Sequence, residues 1–406
     1  SRLNLSILIY FLSIIMSAFL SQRVQKVKPS ATLAVTAKAG ELKAQGVQIV
    51  SMGSGEPDFD TPINIQKAAI QAINNGETRY TAVDGTPVLK QAIIDKFKRE
   101  NNLDYSATEV MVSSGGKQVF YNLCQAVLNE GDEVIIPSPY WVSYPDMVIL
   151  ADATPVVVKT GLEQDFKITP EQLEANITDK TKLFIINSPS NPTGAVYSQA
   201  ELQALANVLI KHPQVLIITD DIYEHIRWGD EDFINIVMAE PDLKDRTIIL
   251  NGVSKGYAMT GWRIGYTGGP EAIIKAMKKI QGQSTSNPCS IAQAAALEAL
   301  NGDQSIINIM VSAFEERHEY IVNALNTIDG VECPRSQGAF YSFPRVEGLI
   351  KRLGLKDDVE FSTYCLEKLN IALVPGSAFG APGYVRFSFA TSMDNIKLAV
   401  EKLAQV

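Results

Sequence analysis

The chain has 406 residues, 46% hydrophobic and 20% charged, enough apolar material for a sizeable core and more than one hydrophobic unit. Its formal charge is −9 with the basic residues scattered, so there is no cationic stripe to track a phosphate backbone, and nucleic acid is not an expected partner. Four cysteines without a CxxC pair and three histidines without HExxH spacing argue against a disulfide framework, a metal site and a histidine-dependent nucleophilic triad.

In chain order, the first feature is NLSILIYFLSIIMSAFLSQ, Asn4 to Gln22, uncharged between Arg2 and Arg23. It approaches the roughly 20 apolar residues that span a bilayer, so residues 4–22 are a candidate anchor or targeting segment. No A-x-A cleavage site follows, and Met16 opens a polar continuation. Residues 1–15 are therefore expected to be an apolar leader outside the working protein, with no membrane partner.

Residues 63–300 are expected to form a large domain. From about residue 110 to 270, β-branched runs alternate with segments of helical period. The runs are EVMVSS, EVIIPS, TPVVVK, KLFIINS, VLIITD, TIILNG and RIGYTGG. KQVFYNLCQAVLNE and SQAELQALANVLIKH carry apolar residues at three- and four-residue steps, as helices on a sheet do. The alternation predicts an α/β fold, with a three-layer α/β/α domain around a mostly parallel seven-stranded sheet. Beyond residue 301, SIINIMVSAFEERHEYIVNALNTI reads as a long amphipathic helix, followed by short strands around GAFYSFPRV, IALVPGSAF and YVRFSFA. Residues 24–62 and 301–406 together are expected to form a smaller α+β domain.

In an open α/β sheet the ligand crevice lies at the carboxyl ends of the strands, so the residues just after each run carry the information. Gly115-Gly116-Lys117 opens a helix and could face an anion or simply make a tight turn; it is not a Walker loop. Trp141 in PYWVSYP could stack on a flat ring or fill a gap. Asn191 in PSNPTG sits in a turn where a rigid amide could also bond a ligand. Asp220 and Asp221 follow five apolar residues, and a buried carboxylate there wants a cation such as a protonated heterocycle nitrogen. Lys255 and Arg263 could be surface charges, or an imine-forming amine and a phosphate clamp. All fall at one sheet edge, and together they describe a site for a planar, phosphorylated, imine-forming ring.

VSMGSGEPDFDTP, RYTAVDG, SSGGKQ, SPYWVSYP, NSPSNPTGAVY, DDIYEH, SKGYAMTGWRIGY and YVRFSFATS stand in an order that resembles the pyridoxal-phosphate-dependent aminotransferases of fold type I, class I/II, and within them the bacterial and plastid type of aspartate aminotransferase. The resemblance runs from about Val24 to the C-terminus. It implies a ping-pong transamination between L-aspartate and 2-oxoglutarate, with pyridoxal 5'-phosphate as cofactor and Lys255 as Schiff base and proton shuttle. It further implies Asp220 on the pyridinium nitrogen, Tyr223 and Asn191 on the phenolic oxygen, and Trp141 on the ring face. The phosphate would meet Gly115, Gly116, Lys117, Ser254 and Arg263, with Tyr80 arriving from a second subunit of a homodimer. Arg386 would fork the substrate α-carboxylate beside Gly55, with Lys117 and Ser284 toward a distal carboxylate. Lys28, in a KPS motif, is associated in relatives with prephenate. The sequence departs from many relatives at Gly252, where they keep a hydroxyl, and reads DDIY for their DEIY.

Prephenate or aromatic amino acids are the rival substrates, and a β-lyase or a cyclopropane-forming synthase is the rival chemistry on the same fold. A cofactor-sensing transcription regulator would need a basic helix-turn-helix domain, for which the leader is too short and too apolar. The expected location is the cytoplasm, or the plastid stroma for a plant source.

Overall fold

The protein is described from a computed structural model covering residues 18–406; the expected leader, residues 1–15, lies outside the described residues. Among those described, no helix is long and apolar enough to cross a membrane.

The strands in chain order are β1 (Val50–Ser51), β2 (Val110–Ser113), β3 (Glu133–Ser138), β4 (Thr154–Lys159), β5 (Thr181–Asn187), β6 (Leu216–Asp220), β7 (Thr247–Gly252), β8 (Gly265–Gly268), β9 (Tyr341–Ser342), β10 (Ile371–Ala372), β11 (Val374–Pro375) and β12 (Val385–Ser388). Strands β2 to β8 make one seven-stranded sheet in the order β2-β8-β7-β6-β5-β3-β4. All are parallel except β8, which pairs antiparallel with both β2 and β7. Each of the seven apolar runs is a strand. The last begins at Gly265 because Arg263 is held at φ 57 after a 3₁₀ turn, off the strand conformation.

The helices that bear on the site are α1 (Ala31–Ala44), α2 (Pro87–Asn101), α3 (Gly116–Val127), α4 (Gln199–Ile210), α5 (Ser290–Asn301) and α6 (Ser305–Leu325). Strand side chains alternate between two cores, as a period of two requires. Val112, Ile135, Phe184, Ile186, Ile217 and Ile249 pack with Ile93 and Phe97 of α2, Leu205 of α4 and Ala296 of α5. Met111, Val134, Ile136, Ile185, Ile218 and Leu250 pack with Val119, Phe120 and Leu123 of α3. The sheet is thus covered on both faces. Helix α4 starts where Ser198 and Glu201 form a capping box, and α2 starts at Pro87 behind a Thr86 cap.

A third core joins Val50 and Met52 to Phe314 of α6, Phe340, Phe387, Phe389 and Ile396. Here β1 pairs parallel with β10, and β11-β12-β9 form an antiparallel sheet. The run IALVPGSAF, expected as one strand, divides between two sheets: Ile371 and Ala372 pair with residues 50–51, then Val374 and Pro375 cross to pair with β12. Tyr223, Ile226 and Trp228, which follow β6, belong to this third core. The segment leaving the middle of the large sheet is thereby packed against the smaller unit, and the cavity lies at that junction.

Candidate active site

At the carboxyl ends of the parallel strands lies a cavity of about 500 Å3. The antiparallel β8 starts at this same edge, which is why Arg263, just before it, reaches the place where the other strands end. Of the residues singled out in the sequence, Gly55, Gly116, Lys117, Trp141, Asn191, Asp220, Tyr223, Ser254, Lys255, Arg263 and Arg386 line it.

Lys255 projects from the loop after β7, and its Nζ donates to the carbonyl of Gly55. Burial, then the charge of Arg386, lowers its ammonium from the usual range to about 8. Near neutral pH this amine is therefore far closer to its base form than a surface lysine. Asp220 is 4% exposed at the end of β6. Burial lifts its carboxyl to about 6, even though Oδ2 accepts from Tyr144 Oη at 2.5 Å and Oδ1 from the Ile222 N–H at 3.2 Å. A buried acid with two neutral donors, and no contacting cation among the described residues, suits a cationic partner. Tyr223 Oη lies 2.7 Å from Tyr341 Oη; burial and that neighbour push the Tyr223 phenol well above its usual range, so it stays a donor.

The opposite end is built for an anion. Gly115 stands at φ 88 before α3, and no side chain caps that helix, so its first N–H groups are open to a ligand. A Cβ at Gly115 would lie 2.2 Å from Nη2 of Arg263; the turn therefore needs glycine both for its backbone angle and for the guanidinium beside it. Lys117 Nζ stands 5.2 Å from the centroid of the Trp141 ring, and burial, then Arg263, lowers its ammonium. Gly252 has a physical reason of its own: a Cβ there would lie 2.9 Å from the carbonyl oxygen of Ile264, just before the neighbouring strand β8. A serine or threonine has no room at this position.

Arg386 is 2% exposed on β12. Nη1 donates to Asn191 Oδ1 at 2.8 Å and Nη2 to the Gly53 carbonyl at 2.9 Å, while Nε has no hydrogen-bond partner among the described residues. The guanidinium lies 4.3 Å from the Tyr341 ring centroid and 5.1 Å from that of Phe379. A buried cation with an unpartnered donor beside a cavity suits a carboxylate.

Five of the residues singled out lie outside the lining, among them Asp221, whose carboxylate accepts from Thr219 Oγ1 at 2.7 Å and Asn235 Nδ2 at 2.8 Å. Gly115 touches Arg263 from behind. Tyr80 is 91% exposed, Ser284 Oγ donates back to the Gln281 carbonyl, and Lys28, two residues before Ser30 at the cavity mouth, lies near Asp146. Sequence reasoning missed Tyr144, Asn187, Thr260 and Tyr341. Asn187 donates to the Asp220 carbonyl at 2.9 Å and accepts from the Asn191 N–H at 2.9 Å, tying two site residues together. Tyr144 had a signal, since it lies within the PYWVSYP loop three residues after Trp141; Tyr341 sits inside a strand and had none.

The residues fit a phosphorylated, protonated heterocycle that binds a lysine. An open helix N-terminus with Arg263 suits a phosphate, the cation-seeking Asp220 suits a ring nitrogen, and the depressed ammonium of Lys255 suits imine formation.

The chain matches the family described as aminotransferase class I and II over residues 47–403. It is 60% identical over 393 residues to the aspartate/prephenate aminotransferase of Nitrosomonas europaea, covering 95% of this chain and 99% of that protein. Among solved structures it is similar to the aspartate aminotransferase of Rhizobium meliloti, with TM-score 0.91 and 46% identity over 95% of this chain and 98% of that one. The aspartate aminotransferase of Thermus thermophilus with maleate matches with TM-score 0.90 and 43% identity over 95% and 99% of the two chains.

Proposed function

The chain belongs to the class I and II aminotransferases, and from that premise we propose how its cavity carries out the reaction. The protein transaminates L-aspartate and 2-oxoglutarate to oxaloacetate and L-glutamate, with pyridoxal 5'-phosphate as cofactor. The observation that carries the reading is the meeting of Lys255, Asp220, Tyr223 and Arg386 around one cavity. When bound, the cofactor supplies an electron sink for the pair left on the substrate α-carbon.

The chain's own residues do the rest. Asp220 keeps a proton on the ring nitrogen, a role for which its burial and its Tyr144 bond suit it. Tyr223, held as a donor, and the side-chain NH2 of Asn191, whose oxygen is given to Arg386, would serve the ring's phenolic oxygen. Trp141 covers the ring face. Gly115, Gly116, Ser254 and Arg263 hold the phosphate, joined by Tyr80 of a second subunit in a homodimer. Arg386 offers its fork to the α-carboxylate with Gly55 leaving room, and Lys117 meets the distal carboxylate. Lys255 would hold the cofactor and, once free, would carry the substrate α-proton; its lowered ammonium suits it to act as a base near neutral pH.

We place the large unit at residues 63–300 and the small unit at 24–62 with 301–406, supported by their separate cores, and the enzyme in the cytoplasm. Prephenate is a second amino acceptor on this reading: the Nitrosomonas relative carries both substrates in its name, and Lys28 stands just before the mouth residues Ser30 and Leu33. Lys28→Ala should then lower turnover of prephenate more than that of oxaloacetate; equal losses would remove Lys28 from the reading. The test of the site itself is borohydride fixation. The wild type should retain cofactor on the peptide containing Lys255 and Lys255→Ala should retain none, whereas fixation on another lysine would overturn the assignment.

A further inference from the structure

The turn after β6 divides its side chains between two sides. Asp220 and Tyr223 line the cavity, while Glu224 and His225 face away from it toward α2. Glu224, 5% exposed, accepts from Asn251 Nδ2 at 2.7 Å and pairs with Lys96, which is wholly buried on α2. Lys96 also lies 3.5 Å from Glu100 one turn on, and Glu100 takes His225 Nε2 at 2.7 Å and Arg99 at 3.2 Å. The His225 ring lies against the backbone of Gly256, where a Cβ would stand 2.8 Å from Nδ1, and meets the Tyr257 ring edge-on at 5.7 Å. Asn251, Gly256 and Tyr257 bracket Lys255.

The hydrogen-bonded ladder between β6 and β7 ends at Asp220 and Leu250, with one further bond from the Asp221 N–H to the Leu250 carbonyl. Beyond it no sheet bond fixes the distance between the two loops that carry Tyr223 and Lys255. What spans them is the contact of Glu224 with Asn251 and of His225 with Gly256 and Tyr257, both anchored to α2 by Lys96 and Glu100. Two carboxylates face one ammonium, one imidazole and the Arg99 guanidinium, and buried ions are tolerated when paired in this way. Burial alone would raise Glu100, yet His225 and Lys96 pull it down to about 2, and Lys96 likewise leads the lowering of Glu224. Glu100, Glu224 and His225 are close enough together to hold an ion, but the Lys96 ammonium already stands among them.

We propose that Lys96, Glu100, Glu224 and His225 are positioning residues that set where the Lys255 amine stands relative to Asp220 and Tyr223. The proposal rests on the reading of Lys255 as the reacting amine.

The test uses the holoenzyme with Glu224→Gln, which keeps an acceptor for Asn251, and His225→Gln, at a partly exposed side chain. The readouts are the pH midpoint of the visible band of the cofactor on Lys255, and kcat and KM for aspartate, each scaled to bound cofactor. Both variants should shift the midpoint by about 0.5 pH unit or more and lower kcat by about tenfold, with KM within about twofold because Arg386 lies outside the cluster. Wild-type midpoints and kcat in the folded variants would overturn the proposal, as would losses that vanish once scaled to bound cofactor. Borohydride fixation separates the two possible failures. Cofactor fixed elsewhere than Lys255 overturns the reading of Lys255 and the proposal with it, while fixation on Lys255 with unchanged midpoints overturns the cluster's role alone.

Discussion

Burial strains Asp220 electrostatically. Its carboxyl is lifted to about 6 in the folded protein from an ordinary value near 4, a difference worth roughly 3 kcal/mol. Because the folded pKa lies above the unfolded one, stability is full below pH ~4 and is lost as pH rises to about 6. Asp220→Asn keeps an oxygen for Tyr144 and removes the penalty. Thermal melts of the apoenzyme should therefore show the variant more stable than wild type at pH 8 and the gap closing toward pH 4, while cofactor binding weakens; a gap that widens toward pH 4 would refute the electrostatic reading. Arg386 is the other residue with a sharp signature. Arg386→Ala should raise KM for aspartate by more than about tenfold, since a bidentate charged fork is lost, with far less effect on cofactor titration. The acid and the amine were legible in the sequence because charged groups beside buried runs must have partners, whereas Arg386 was reached only through the family resemblance. Of their supports, Tyr144 had only its place beside Trp141 in PYWVSYP to mark it, and Asn187 looks like an ordinary strand residue until the fold brings it to Asp220.

Among elements, the decisive one is the start of α3. Its N–H groups are open because Gly115 gives no capping side chain, and Arg263 lies where a Cβ at that glycine would be. Gly115→Ala forces both a left-handed backbone and a clash with the guanidinium. Equilibrium dialysis should find pyridoxal phosphate bound at least about tenfold more weakly, of the order expected when a preformed charged contact is displaced; unaltered affinity would remove the turn from the phosphate site. The strands of the large sheet were readable because a parallel sheet buried on both faces writes continuous β-branched runs. The division of residues 371–375 between two sheets was not, since two residues per strand carry no period and only their partners, Val50 and Val385, decide where each belongs.

For the whole molecule, the cavity depends on two units and, on our reading, on two subunits. Tyr80 is exposed on one chain, yet the loop that carries it is pinned from within: Gln281 donates to the Val83 and Val112 carbonyls at 2.7 and 2.8 Å, and Asp84 pairs with Lys90 and Lys278. An exposed aromatic on an anchored loop suits a partner's site. Sedimentation should give a dimer, and mixing Tyr80→Ala with Lys255→Ala subunits should restore sites in which a wild-type Lys255 meets a wild-type Tyr80; no recovery in the mixed dimers would remove the shared site. Such contacts between copies leave only exposed residues in the sequence and cannot be read there without the family resemblance.

The reaction itself is tested most directly by incubating the purified protein with L-aspartate and 2-oxoglutarate and measuring oxaloacetate, glutamate and ammonia together. Oxaloacetate and glutamate should appear in equal amounts without ammonia, and Lys255→Ala should form neither. Ammonia released without glutamate, or transfer that survives Lys255→Ala, would contradict transamination through Lys255.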